Sequence, residues 1–138
     1  DIIVNVYYGN KTRGGMDIIL MNSQQLQDFI DGAHRVDSRT MGYGLLFLHE
    51  LHHTNIMGNL EDDKRESQTG PVVDKINKIR RELSFKGANY GERMMYAPIS
   101  IGEEDVIAFD IMTFELLSKK GMVSPGSKYV KYKRSRKR

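Results

Sequence analysis

The chain predicts an α+β domain. Three observations carry that prediction. The N-terminal segment is rich in β-branched and aromatic residues; three central segments place apolar residues at helical spacing; and two short apolar runs around residues 94–111 return to strand-like composition. With 138 residues and 39% hydrophobic content, the chain suits one domain with a single modest core.

Residues 1–8, DIIVNVYY, read as a strand, GNKTRGG (9–15) as turn chemistry, and MDIILMN (16–22) as a second strand, together suggesting a hairpin. Ser23 is placed to cap a helix whose Leu26, Phe29 and Ile30 share one face. Asp37 or Ser38 is placed to cap a longer helix over about 40–57, ending at Gly58. Apolar residues surround much of that helix, which makes it central and buried. LEDDKRESQTG (60–70) is polar and belongs at a surface or cleft. Pro71 suits the first turn of a third helix, PVVDKINKIRREL, with Val72, Val73, Ile76, Ile79 and Leu83 at helical spacing. MMYAPISI and DVIAFDI are short strands around the turn GEED, the second running into a helix over IMTFELLSKKG.

Residues 1–127 form the expected folded domain, and 128–138 a basic, disordered tail dispensable for the fold. The tail carries seven Lys or Arg; removing them from the net +3 leaves the body at −4. Its functional reading is attachment to nucleic acid or an anionic membrane; its bland reading is a solvated terminus or the contact point for an acidic immunity protein. The chain begins at Asp1 without Met or a signal-like segment, as expected of a domain cut from a larger protein. No apolar run approaches a membrane span. The absence of cysteine excludes disulfides and thiolate metal sites, so any metal must be held by His, Asp, Glu, Tyr or water.

FLHELHHTN (47–55) holds three of the four histidines. Positions i and i+4 share a helix face, so His49 and His53 can aim two ring nitrogens at one ion. Glu50 falls beside that ion, where a general base must stand. Zinc held there would acidify a water from a pKa of about 15.7 toward about 7 and polarise a substrate carbonyl. Imidazole and carboxylate donors favour zinc without excluding iron, nickel or cobalt. The competing reading is a purely structural histidine cluster. His52, at i+3 from His49, is an alternative ligand but better suits a supporting or helix-surface position; His34 stands alone near a helix end, as a solvated residue would.

A catalytic zinc needs a third protein ligand. Glu61, Asp62, Asp63 and Glu66 follow closely, and Glu103 and Glu104 are more distant candidates. Three and six positions after His53 stand Ile56 and Asn59, so a His-x-x-Gly-x-x-His continuation is absent and a carboxylate is the expected third ligand.

From residue 49 to 96 the chain resembles a family of zinc endopeptidase effectors, injected by enteric pathogens or attached as C-terminal toxin domains to Rhs-type polymorphic toxins. The resemblance rests on HELHH (49–53), RESQTG (65–70), NKIRREL (77–83) and ERMMY (92–96), with Asn77, Arg80, Glu82, Leu83, Arg93 and Tyr96 at the family's positions. It covers about a third of the chain, and only HELHH is specific by itself. It implies a compact zincin-like domain with a small mixed sheet, a central HExxH active-site helix and a cleft between them. It also implies cleavage of a protein in a target cell, secretion or delivery as the C-terminal part of a larger protein, and a cognate immunity or inhibitor protein as a further partner. Carried over by position, His49 and His53 bind Zn2+, Glu50 is the base and Glu66 is the first choice of third ligand. This chain departs from the pattern there, with Lys64 and Arg65 where acidic residues are usual, so Asp62 and Asp63 stay open. Tyr96 is the candidate hydrogen-bond donor to the oxyanion, against a plain cleft-wall role. NKIRREL reads as scaffold: Ile79 and Leu83 pack, while Arg80 and Glu82 hold loops. MDIILMN is the candidate edge strand for an extended substrate.

Two other function classes compete with the protease. A non-enzymatic metal-binding module would close every metal position or lack a cleft. A metal-dependent nuclease would surround the metal with basic residues, whereas the local sequence is acidic, which makes nucleic acid an unlikely substrate.

Overall fold

The computed structural model describes residues 3–7, 13–15, 18–110 and 128–133. The expected helix over 111–121 lies outside the described residues. Among the described residues the fold is α+β, with three α-helices and two small sheets.

The first sheet contains β1 (Ile3–Tyr7), β2 (Arg13–Gly15) and β3 (Ile18–Asn22) in the order β1-β3-β2. The expected hairpin between 1–8 and 16–22 is replaced by a parallel pair, Ile3 opposite Ile18 through Tyr7 opposite Asn22. The return strand is β2, inside the presumed turn segment, and it pairs antiparallel with β3. With β2 on one side of β3, β1 runs alongside it on the other. β3 is therefore the central strand and not an edge; the edge beside the central helix is β2.

Asn22, one residue before the expected cap, accepts a hydrogen bond from Gln25 N at 2.8 Å and starts α1 (Ser23–Asp31). Leu26 and Phe29 point into the core, while Ile30 is only half-buried. α1 ends against the second sheet so closely that a Cβ on Gly32 would stand 1.7 Å from Lys131 O.

The long helix expected over 40–57 is broken into three pieces. Asp37 caps a short 3-10 turn, Ser38–Met41, through its side chain. Gly42 is extended and resets the chain direction. α2 then runs Tyr43–His52, with His53 as a still-helical cap, and a second 3-10 turn, Asn55–Met57, ends on left-handed Gly58 (φ 91°). α3 is Gly70–Phe85, close to its expected bounds, with Pro71 in its first turn.

The second sheet is antiparallel, in the order β4-β7-β6-β5: β4 (Ala33–His34), β5 (Ile99–Ile101), β6 (Glu104–Ala108) and β7 (Tyr129–Lys133). A turn separates two strands here as expected, but β5 takes only the last three residues of MMYAPISI and β6 already begins at Glu104. The disordered-tail expectation does not hold over 129–133. Those residues form a central strand, because Val130 alternates inward to full burial while Lys131 and Lys133 face out, Lys131 pairing with Glu104 at 2.6 Å. A charge run can alternate like a strand, and composition alone hides this.

One apolar cluster joins Ile19 and Met21 of β3, Leu26 and Phe29 of α1, Leu46 of α2, Ile107 and Val130 of the second sheet, and Phe109 just after β6. A second packs Leu45 of α2 against Val72 and Ile76 of α3 and Tyr90, with Leu60, Ile79 and Leu83 at its rim. α2 is thus held from both sides. No described helix is long and apolar enough to cross a membrane.

Candidate metal centre

The last turn of α2 presents His49, Glu50 and His52 with their side chains buried, and His53 follows in helical geometry. The chain then doubles back. Leu60 N donates to His52 O at 2.8 Å, and His53 Nδ1 lies 2.7 Å from Leu60 O. Leu60 is the one apolar residue of the 60–70 segment, and its packing between α2 and α3 anchors the loop. Two residues on, Asp62 reaches the histidines: Oδ1 is 3.1 Å from His49 Nε2 and Oδ2 is 3.0 Å from His53 Nε2.

His49, His53 and Asp62 each offer one donor atom, and the three atoms lie within 4.8 Å of one another. This group could hold a metal ion, and two further observations fit one. Asp62 Oδ1 is buried without a well-directed hydrogen bond although His49 Nε2 is near, so a buried lone pair is left to be satisfied. The Leu60 carbonyl also favours the tautomer of His53 with its proton on Nδ1, which leaves the Nε2 lone pair facing inward.

The electrostatics show what the cluster does without an ion. Burial pushes His49 down to about 4, despite Asp62. The hydrogen bond it donates to Asp62 raises His53 to about 9, against its own burial. Burial opposes ionisation of Asp62, but the two imidazoles outweigh it and hold its carboxyl below the usual range. The group therefore keeps one imidazolium, one neutral imidazole and one carboxylate. A divalent ion would displace that proton and bind all three donors.

Glu66, the first choice of third ligand, is exposed and outside the cluster. Asp62 stands in the group that could hold an ion, on the loop that the Leu60 anchor brings back to the histidines. Asp63 is engaged by Arg65 at 2.6 Å, so the basic residue that departs from the family pattern has a local partner. Glu104 pairs with Lys131 in the second sheet, and exposed Glu103 sits in the preceding turn; neither belongs to the cluster. His52 is buried, with Nδ1 2.6 Å from Leu48 O, and is outside the cluster. His34 is half-buried, its ring centre 4.5 Å from that of Tyr129 and tilted by 36°, rather than solvated.

Glu50 is 6% exposed and close enough to act electrostatically on His53, Tyr96 and Arg93. Tyr96 stacks on His49, ring centres 6.0 Å apart at 22°, with its phenol within hydrogen-bonding reach of the Asp62 carboxylate. Burial, then Asp62, push that phenol up to about 12, so it stays a protonated donor. Its backbone N donates to Gln68 O at 2.9 Å, tying it to the loop that carries Asp62.

Arg80 and Arg93 are both buried. Arg80 bonds Thr40 O through Nε (3.2 Å) and Nη2 (3.0 Å), and lies over the Phe109 ring; burial lowers it to about 9. Arg93 bonds Met95 O at 3.0 Å and also Tyr96 O. The expectation that Arg80 holds loops is met by these contacts, whereas Glu82 is exposed. The buried role of Arg93 went unread in the sequence, since nothing there distinguishes a buried arginine from a solvated one.

No protein-family model matches the chain, and no curated protein or solved structure is detectably similar to it.

Proposed function

We propose that this domain is a zinc-dependent endopeptidase with a zincin-like active-site helix, a bacterial effector or toxin domain that cleaves a protein of a target cell. The observation that carries the reading is the convergence of His49 Nε2, His53 Nε2 and Asp62 around one point, with Glu50 buried on the same helical turn. His49, His53 and Asp62 would hold the ion. Zinc, when bound, supplies Lewis acidity toward a water and a substrate carbonyl. Glu50 would take a proton from the attacking water and pass it to the leaving amine. Tyr96, kept protonated, donates a hydrogen bond to the oxyanion. An N,N,O donor set would suit zinc. The resemblance over residues 49–96 supports proteolysis, delivery and a cognate immunity protein as partner.

The test compares the parent with Glu50→Gln for zinc content, proteolysis of target-cell extract and toxicity on expression. The variant should keep full zinc and lose proteolysis by about 100- to 10,000-fold, the usual contribution of a positioned base. Undiminished proteolysis would remove Glu50 from the chemistry.

A further inference from the structure

We propose that Asn77, on α3, is a positioning residue for the metal centre: its buried carboxamide clamps the backbone of Arg93 and thereby sets the Tyr96 ring against His49. The proposal deepens the reading above and rests on its metal site.

The buried carboxamide bonds the backbone of Arg93 on both sides and the guanidinium of Arg80. Oδ1 accepts from Arg93 N at 2.8 Å and from Arg80 Nη1 at 3.0 Å, and Nδ2 donates to Arg93 O at 2.9 Å. The two contacts with Arg93 copy the N–H and C=O exchange of a strand pair, but from a side chain. Arg93 then turns forward: Nε bonds Met95 O at 3.0 Å, Nη2 bonds Tyr96 O, and the guanidinium lies 5.2 Å from the Tyr96 ring centre. Residues 93–96 thus wrap one buried cation whose own backbone Asn77 holds. The far end is Tyr96, 6.0 Å from His49.

Packing does not require a carboxamide here. Val72 and Ile76 already bury α3 against α2. A polar group at 7% exposure is costly unless its bonds are made, and these bonds are spent three residues before Tyr96.

The test uses the protein carrying 13Cζ-labelled tyrosine, with the Tyr96 signal assigned through Tyr96→Phe and titrated with zinc chloride. In the parent, zinc should shift the Tyr96 signal. In Asn77→Ala, zinc affinity should stay within about threefold, well short of the 10- to 100-fold loss that follows disturbance of a ligand's own support. The Tyr90 signal should hold its place as a marker of the intact core, while the Tyr96 signal moves toward its solvent-exposed position and loses its response to zinc. If Asn77→Ala does not fold, Asn77→Asp serves: it retains the acceptor toward Arg93 N and Arg80 and loses the donor to Arg93 O. A folded variant whose Tyr96 signal still responds to zinc as the parent's does overturns the proposal. A parent whose Tyr96 signal ignores zinc refutes instead the placement of the metal.

Discussion

Gly70 and Asp63 are in such close contact that a Cβ on Gly70 would stand 2.5 Å from the Asp63 backbone nitrogen. Gly70 also has φ +81°, a conformation costly for other residues. This contact closes the base of the loop that carries Asp62. Gly70→Ala should therefore displace Asp62 while leaving α2 in place. Zinc affinity should fall by about 10- to 100-fold, the scale expected when a ligand loses its support. Equilibrium dialysis with zinc, alongside circular dichroism to monitor the helices, checks this; unchanged affinity in a folded variant would contradict the loop's assigned role.

The ligand set makes a sharper distinction. His49→Ala, His53→Ala and Asp62→Ala should each abolish stoichiometric zinc, whereas Glu66→Ala should bind zinc like the parent. Zinc at a hundredfold excess over its Kd should stabilise the parent by about 2.7 kcal/mol and the Asp62 variant by none. Thermal unfolding with and without chelator reads that difference. A loss of zinc in Glu66→Ala comparable to that in Asp62→Ala would reassign the third ligand.

Zinc affinity should rise with pH. His53 is held at about 9 by its hydrogen bond to Asp62, so below that pH one proton must leave before the ion binds. His49, driven down to about 4 by burial, is already neutral and does not compete. Affinity should thus increase close to tenfold per unit between about pH 7 and 9, one proton being released. The metal-free protein behaves oppositely. Its raised His53 contributes stability that is complete below about 6.5 and fades as pH rises through about 9. Calorimetric titrations at several pH values test the first statement and chelator melts the second; a flat affinity profile would remove His53 as the proton-linked ligand.

β7 should be indispensable. Val130 is fully buried between β4 and β6, so deleting residues 128–138 should prevent folding, while ending the chain at Lys133 should not. Val130→Ala should cost roughly 2 kcal/mol from lost burial and the cavity left behind. Urea unfolding of the full chain, the variant and the two truncations measures this. A shorter chain ending at residue 127 that folded like the parent would show that the second sheet closes without its central strand.

Much of the site was legible in the chain itself. A spacing of four residues on an apolar helix brings His49 and His53 together wherever that helix lies, because both positions depend on local geometry alone. The same holds for the Leu26 and Phe29 face of α1, the Pro71 start of α3, and the turn between β5 and β6. Local chemistry also sets Glu50 beside its neighbours.

What only the tertiary structure decided depends on pairs distant along the chain. Asp62 rather than Glu66 faces the histidines because Leu60 is anchored between two helices and Gly70 admits a close backbone, neither of which a row of carboxylates reveals. β3 became central because β2 supplied the return strand. Residues 129–133, basic enough to read as solvated tail, became a core strand because β4 and β6 offered hydrogen-bonding edges and a pocket for Val130. Residue type and spacing determine which groups can meet along one helix; long-range packing and backbone pairing determine which of several equivalent groups arrives from elsewhere.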